Sequence, residues 1–277
     1  MNQYQKNLTH RTEMLLGSEI LEQLKNIRVI IFGLGGVGSW CAESLVRSGL
    51  VNLTIVDSDI VCATNVNRQV EATSATVGKP KTEVLSQRLL EINPEAKIVS
   101  MCRAWDKVSE PMFKIPTYDY VIDAIDSYSN KLHLLETCVH SGIRVFSSMG
   151  AAAKVDPSHI RVAKLTDTTV CPLARRVRKE LHRRDVPTDF LCVFSDEPPV
   201  VPKIAAFCGT GACTCDRDRM TAAQKGMCDS VDWCARKKRI YGAIVHITAI
   251  FGFMLAGLVI QDLLKNQSDK VPDLQSF

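Results

Sequence analysis

Apolar positions along the chain alternate between short continuous runs and helical stripes. Leu15, Leu16, Ile20, Leu21 and Leu24 recur at helical spacing and predict an amphipathic helix ahead of the first strand. Ile27 and residues 29–32, mostly β-branched or aromatic, then run straight into a glycine cluster, the pattern of a buried strand. Residues 39–47 read as helix because Trp40, Leu45 and Val46 fall near one face. The alternation continues with a strand at 53–57, a loop at 66–78 and a helix at 81–92 that Asn93-Pro94 closes. Strands at 97–101 and 118–124, a helix at 132–139 and a strand at 143–147 complete it. Such β-α-β-α-β order implies an α/β fold. Its sheet is doubly wound and mostly parallel, with helices on both faces and a site at the carboxyl ends of the strands.

Past Gly150 the pattern changes. Strands at 160–165 and 190–194 flank a helix at 172–182, and Pro198, Pro199 and Pro202 bend the chain. An irregular cysteine-rich stretch, 208–234, follows, and then an almost uninterrupted apolar run, 244–260. The expected organisation is a Rossmann-like core over residues 1–150. An extension over 151–277 belongs to the same domain and carries the cysteine-rich segment and a terminal apolar helix.

The glycines between the first strand and helix, Gly33-Leu-Gly-Gly-Val-Gly38, give the strand–turn–helix a phosphate-binding character. Gly33 suits the tight turn, Gly35 and Gly36 leave backbone bare for a phosphate, and Gly38 lets the helix pack close. Free N–H groups and the dipole at the helix start attract an anion. Asp57 closes the second strand about 20 residues on, where a carboxylate grips ribose hydroxyls.

Composition changes the picture little. The chain of 277 residues is 46% hydrophobic and 23% charged, as for a globular protein with a real core. A net charge of +4 does not by itself demand a nucleic-acid partner. Residues 1–23 are polar and mixed in charge, unlike a signal peptide. Eleven cysteines, an odd count, argue for reduced thiols in a cytoplasm.

The residues beyond Asp57 select the chemistry. Asp59, Asn65, Asn67, Arg68 and Gln69 cluster in sequence, Lys81 opens the next helix, and Asp123 and Asp126 end the fourth strand. Two cations, several amides and carboxylates thus meet one phosphate cradle. Arg68 and Lys81 suit the charge of a triphosphate, and Asp126 suits a divalent metal bridging its oxygens. Those parts fit attack on the α-phosphate with pyrophosphate leaving, where catalysis is positioning and charge neutralisation. A nicotinamide dehydrogenase would leave Arg68, Lys81 and Asp126 without a purpose. A binding protein that had lost catalysis would be expected to have lost one of them.

On these residues the chain resembles the ubiquitin-activating-like (ThiF/MoeB) superfamily of ATP-dependent adenylating enzymes. The resembling text is Gly33-Leu-Gly-Gly-Val-Gly38, Asp57-Ser-Asp59, Asn65-Val-Asn-Arg-Gln69, Val77-Gly-Lys-Pro-Lys81 and Asp123-Ala-Ile-Asp126. Residues 11–17, Arg-Thr-Glu-Met-Leu-Leu-Gly, extend it. The resemblance implies that Asp57 binds ribose, that Asn65, Arg68 and Lys81 hold phosphates, and that Asp126 serves Mg²⁺ and adenylation. It also implies a homodimer in which Arg11 reaches the partner's nucleotide. Within the superfamily the chain is similar to the tRNA threonylcarbamoyladenosine dehydratases. The stretches that carry this likeness are Val121-Ile-Asp-Ala-Ile-Asp126, Ser147-Ser-Met-Gly-Ala151, Asp156-Pro157, Val170-Cys-Pro-Leu-Ala174 and Cys192-Val-Phe-Ser195. That family uses ATP to activate the carboxylate of threonylcarbamoyladenosine beside the tRNA anticodon, after which the side chain's own nitrogen closes a ring.

The alternative within the superfamily adenylates the C-terminal glycine of a ubiquitin-like sulfur carrier. Those enzymes usually hold zinc between two Cys-x-x-Cys pairs, and this chain has neither pair. Zinc at Cys208, Cys213, Cys215, Cys228 and Cys234 is not favoured either, since the spacings match no known motif. A tRNA substrate predicts basic surface. Arg175, Arg176, Arg178, Lys179, His182, Arg183 and Arg184 form one cluster, and Arg236, Lys237, Lys238 and Arg239 another. Run 244–260 sits at the lower length limit for a membrane span. With His246, Thr248, Gly252 and Gly257 inside it, a buried helix at a dimer interface is favoured over a membrane anchor. A sulfur-transfer partner and a monovalent-ion requirement stay open on the sequence.

Overall fold

The computed structural model describes residues 3–204 and 241–268. One seven-stranded sheet runs through it in the order β3-β2-β1-β4-β5-β7-β6. Strands β1 (Arg28–Phe32), β2 (Asn52–Val56), β3 (Lys97–Met101), β4 (Tyr120–Asp123) and β5 (Arg144–Ser148) pair in parallel. β7 (Leu191–Ser195) continues the parallel set beside β5, and β6 (Ile160–Lys164) closes the edge antiparallel to β7. The doubly wound, mostly parallel sheet expected from the alternation is therefore present, and it is continuous across residue 150.

Central strands need apolar residues on both faces, and the runs supply them. Ile30, Phe32, Val121 and Val145 face one core, and Val29, Ile31, Leu53 and Ile122 face the other. The first core is finished by Trp105 and Phe113, which meet Phe32 edge-on with ring centroids 5.0 and 5.2 Å away. Phe113 ends a four-residue helix, α4 (Glu110–Phe113), too short for periodicity to reveal. Helices α5 (Tyr128–His140) and α6 (Pro172–Arg183) cover the same face.

The opposite face carries α1 (Gln3–Asn26), α2 (Gly38–Arg47) and α3 (Lys81–Ile92), joined by the terminal helix α7 (Val245–Ser268). α1 is broken at Gly17, whose φ of 80° and ψ of 163° are not helical. α7 is long and apolar enough to cross a membrane by length and composition. Ile247, Phe251, Leu255 and Val259 are nonetheless fully buried in the core, and the helix packs against α2, β5 and β7. Its far end is pinned by Asp262, which accepts hydrogen bonds from Tyr120 Oη at 2.7 Å and from Arg144. Gly252 makes the close approach to α2 feasible, since a Cβ there would lie 2.5 Å from the Val37 carbonyl oxygen.

Cys41, Cys62, Cys138, Cys171 and Cys192 are buried and not disulfide-bonded, and burial pushes Cys192 up to about 12. Cys102, just past β3, is disulfide-bonded, which departs from a uniformly reduced set. The cysteine-rich stretch 208–234 and the basic run 236–239 lie outside the described residues.

Candidate active site

The glycine turn sits where β1 and β4 end side by side. Gly33 has φ of +90°, and a Cβ on it would lie 2.6 Å from the Ala124 carbonyl oxygen, so only glycine fits between the two strand ends. A Cβ on Gly38 would overlap the Gly33 carbonyl, which locks turn and helix start together. The first turn of α2 is built from Ser39, whose Oγ donates to the Gly35 carbonyl at 2.8 Å and accepts from Val70 N at 3.3 Å.

Asp57, expected to close the second strand, lies one residue past β2 and is already engaged. One oxygen accepts from Leu34 N at 2.6 Å and the other from Asp59 N at 2.7 Å. Its side chain holds the turn in shape and keeps about 10% exposure toward solvent. Lys81, at the start of α3, is buried against it: Nζ is 2.9 Å from Asp59 and 3.8 Å from Asp57. Burial works against the Lys81 ammonium, but Asp57, Asp59 and Glu71 together outweigh it and hold the side chain charged. Burial also pushes the Asp57 carboxyl up, against the pull of Lys81.

The loop after β2 lies over the cradle. Asn65 Oδ1 accepts from Cys62 N at 2.9 Å, closing a short 3-10 turn. Arg68 donates to the Thr64 carbonyl and to Asn67 Oδ1, both at 2.9 Å. Its Cγ is 3.1 Å from where a Gly36 Cβ would stand, so the guanidinium stem brackets the bare backbone. Gln69 is buried, with Nε2 3.8 Å from the corresponding position on Gly35. Asp126 is exposed, two residues past Ala124. Arg68 and Gln69 thus lie against the glycines, Asp57 is bonded to the turn with Lys81 and Asp59 beside it, and Asp126 follows the β4 end that abuts Gly33. Arg11 is exposed on α1 and contacts none of them within this chain.

Three participants escape the sequence reading. Thr248 of α7 lies against the cradle, its Oγ1 2.8 Å from a Gly36 Cβ position. Glu71, two residues past Gln69, is 1% exposed, with neither carboxylate oxygen in a well-formed hydrogen bond and the Ser39 hydroxyl beside it. Lys131, fully buried, reaches Asp123 at 2.5 Å and the Ser148 carbonyl at 2.9 Å, directly behind the Asp126 turn. Gly252 inside the apolar run hints at the close packing that brings Thr248 here. Glu71 and Lys131 carry no such hint.

Residues 8–276 match the ThiF family. The chain belongs to the ThiF family. Among curated relatives, this ThiF-family chain is 36% identical over 257 residues to a tRNA threonylcarbamoyladenosine dehydratase of Haemophilus influenzae, covering 90% of each chain. It is 41% identical over 191 residues to the Bacillus subtilis protein of the same name, 69% of this chain and 75% of that one. Among solved structures, the Escherichia coli tRNA N6-threonylcarbamoyladenosine dehydratase in complex with AMP superposes with a TM-score of 0.78 at 29% identity. The superposition spans 95% of this chain and 96% of that one.

Proposed function

We propose that this chain is an ATP-dependent tRNA threonylcarbamoyladenosine dehydratase. The observation that carries the reading is a superposition over nearly the whole length on a dehydratase solved with AMP, in a chain whose own phosphate cradle retains Asp57, Arg68, Lys81 and Asp126.

Ring closure from a carboxylate would expel hydroxide, a poor leaving group; adenylation replaces it with AMP. The substrate carboxylate attacks the α-phosphorus, pyrophosphate departs, and the side-chain nitrogen then attacks the acyl carbon as AMP leaves. The sum is loss of one water from the nucleoside, with ATP becoming AMP and pyrophosphate. Proximity carries the second step. In the first, backbone N–H groups at the start of α2 receive phosphate, and Asp57 receives the ribose hydroxyls. Arg68 and Lys81 neutralise the phosphate oxygens, with Asn65 and Gln69 completing the wall. For Lys81 this means exchanging part of its contact with Asp59 for phosphate.

A group of three His, Cys, Asp or Glu able to hold a metal is absent among the described residues. Mg²⁺ normally takes one or two carboxylates and leaves the rest to substrate phosphates, so a single Asp126 fits that mode. Bound there, the ion would offset charge developing on the phosphates. Arg11, exposed on α1, is assigned to the nucleotide of a second copy in a homodimer. The tRNA approaches over α6, where Arg175, Lys179 and His182 are exposed and Arg176 lies 4.4 Å over the Tyr128 ring.

The test is mass spectrometry of mildly digested nucleosides after tRNA is incubated with the protein, ATP and Mg²⁺. Loss of one water from threonylcarbamoyladenosine, only with ATP present, is expected. Unchanged nucleoside from a protein that still binds ATP would refute the reading. Asp126→Ala and Arg68→Ala are expected to abolish product while leaving the protein folded.

A further inference from the structure

Beneath the phosphate cradle lies a carboxylate that the adenylation scheme does not use. Glu71 is 1% exposed and neither buried oxygen has a well-formed hydrogen bond. The nearby donors are its own backbone N–H and the Ser39 hydroxyl, and that hydroxyl is directed at the Gly35 carbonyl at 2.8 Å. Its neighbour Gln69 likewise has a buried amide oxygen without a donor. The segment carrying them is fixed rather than loose. Val70 N donates to Ser39 Oγ, Trp40 Nε1 donates to the Arg68 carbonyl at 2.9 Å, and Thr76 Oγ1 donates to the Glu71 carbonyl at 2.8 Å. Glu71 is therefore held under the first turn of α2, the turn whose N–H groups face the phosphates.

The charges around it come from three elements. Lys81 and Arg88 act from α3, and Asp57 acts from the end of β2. Glu43 on α2 is tied up with Arg47 at 2.8 Å and Arg88 at 2.6 Å. Lys81 is the cation that offsets Glu71, and it also serves Asp57 and Asp59. A triphosphate arriving at the cradle brings negative charge into this group and draws on the same ammonium. Both changes disfavour an ionised Glu71.

We infer that nucleotide capture at this cradle is coupled to protonation of Glu71, which makes Glu71 a positioning residue that frees Lys81 for the phosphates. In the absence of nucleotide, burial already pushes the Glu71 carboxyl up to about 7, with Lys81 opposing and Asp57 adding to the rise. Above neutrality the free protein therefore carries Glu71 ionised, and binding takes a proton from solvent. Below neutrality the proton is already present and affinity no longer gains from acid. The inference rests on the adenylating reading of the site.

The test is calorimetric titration of the full chain with Mg²⁺ and an α,β-methylene ATP analogue, which cannot transfer its nucleotidyl group. It is run at about pH 8 in two buffers of different ionisation enthalpy. The expected result is uptake of most of a proton by the wild type and none by Glu71→Gln. In the wild type alone, Kd should rise up to about tenfold per pH unit above neutrality. Binding without proton uptake, equal uptake by the variant, or a wild-type Kd flat over that range would overturn the assignment. Absence of any binding by the wild type would instead overturn the adenylating reading, and this inference with it.

Discussion

Asp123 and Lys131 meet at 2.5 Å with both side chains out of solvent, and the contact organises the turn that carries Asp126. Asp123 also accepts from Ser147 Oγ at 2.6 Å and from Ile125 N at 3.1 Å, so it ties β5 and the turn together. Removing one partner of a buried pair leaves an uncompensated charge, which costs about 3–5 kcal/mol. Lys131→Met is expected to lose that much in urea unfolding, and adding Asp123→Asn should recover part of it. A single-variant loss below about 1 kcal/mol would show that the pair does not hold the turn. Glu71 is the other enclosed charge near the glycine turn. Its carboxyl is raised in the folded protein to about 7, so the folded state binds the proton more tightly than the unfolded chain. The associated stability is complete at acid pH and is lost as pH rises through that value. Glu71→Gln should therefore be more stable than wild type by ~1–3 kcal/mol at about pH 8, and the two should converge in acid. Equal stability across the range would mean that Lys81 and the Ser39 hydroxyl offset the burial of Glu71. Asp57, Arg68 and Lys81 were legible in the sequence because each hangs at a known distance from the glycine run or a strand end. Glu71 and Lys131 were not. A carboxylate after Val70, or a lysine opening the stretch Lys131-Leu-His-Leu-Leu135, reads as a solvated charge until packing shows it enclosed.

Elements longer than about one helical turn followed directly from periodicity, because each had to bury a stripe or a run. α3 and β3 coincide with their expected spans, and the strands fall within two residues of theirs. The exceptions have local causes. α5 begins four residues before its apolar stripe because its first turn, Tyr128-Ser-Asn-Lys131, carries no apolar period, and α4 is too short to show one. The terminal run is the instructive case. Composition alone left a membrane anchor and a buried helix in competition, since both require apolar surface all round. In the fold the helix is seated on the core: Gly252 sits on α2, Trp40 meets Phe253 at 5.8 Å, and Thr248 touches the glycine turn. A β-branched residue at Gly252 must push α7 off α2, so Gly252→Val is expected to cost about 2–4 kcal/mol. It should also weaken binding of the ATP analogue, because α2 and the cradle move with it. Retention of both stability and affinity would uncouple the terminal helix from the site.

Charge on α6 separates into structural and available parts. Arg178 points inward and donates to the Leu165 and Thr168 carbonyls at 3.1 and 2.8 Å. Arg183 and Arg184 pair with Glu180, whose carboxyl they hold down to about 2, and Arg184 also reaches Glu136 at 2.8 Å. Of the cluster read as one basic patch in the sequence, Arg175, Lys179 and His182 remain exposed without a partner among the described residues. Arg175 and Lys179 are four residues apart, one helical turn, and so form a stripe along α6. If that stripe meets tRNA phosphates, each cation removed takes its share of counterion release with it. Arg175→Ala combined with Lys179→Ala should then lower the slope of log affinity against log salt by about 1–2 and weaken every tRNA alike. Arg178→Ala should instead lower stability, through the two carbonyls it leaves without a donor, with the salt slope unchanged. Filter binding of tRNA across a salt series reads the first effect and urea unfolding the second. An unchanged slope in the double variant would place the tRNA elsewhere on the surface. A reduced slope in Arg178→Ala would mean that its guanidinium, and not only its exposed neighbours, serves the RNA.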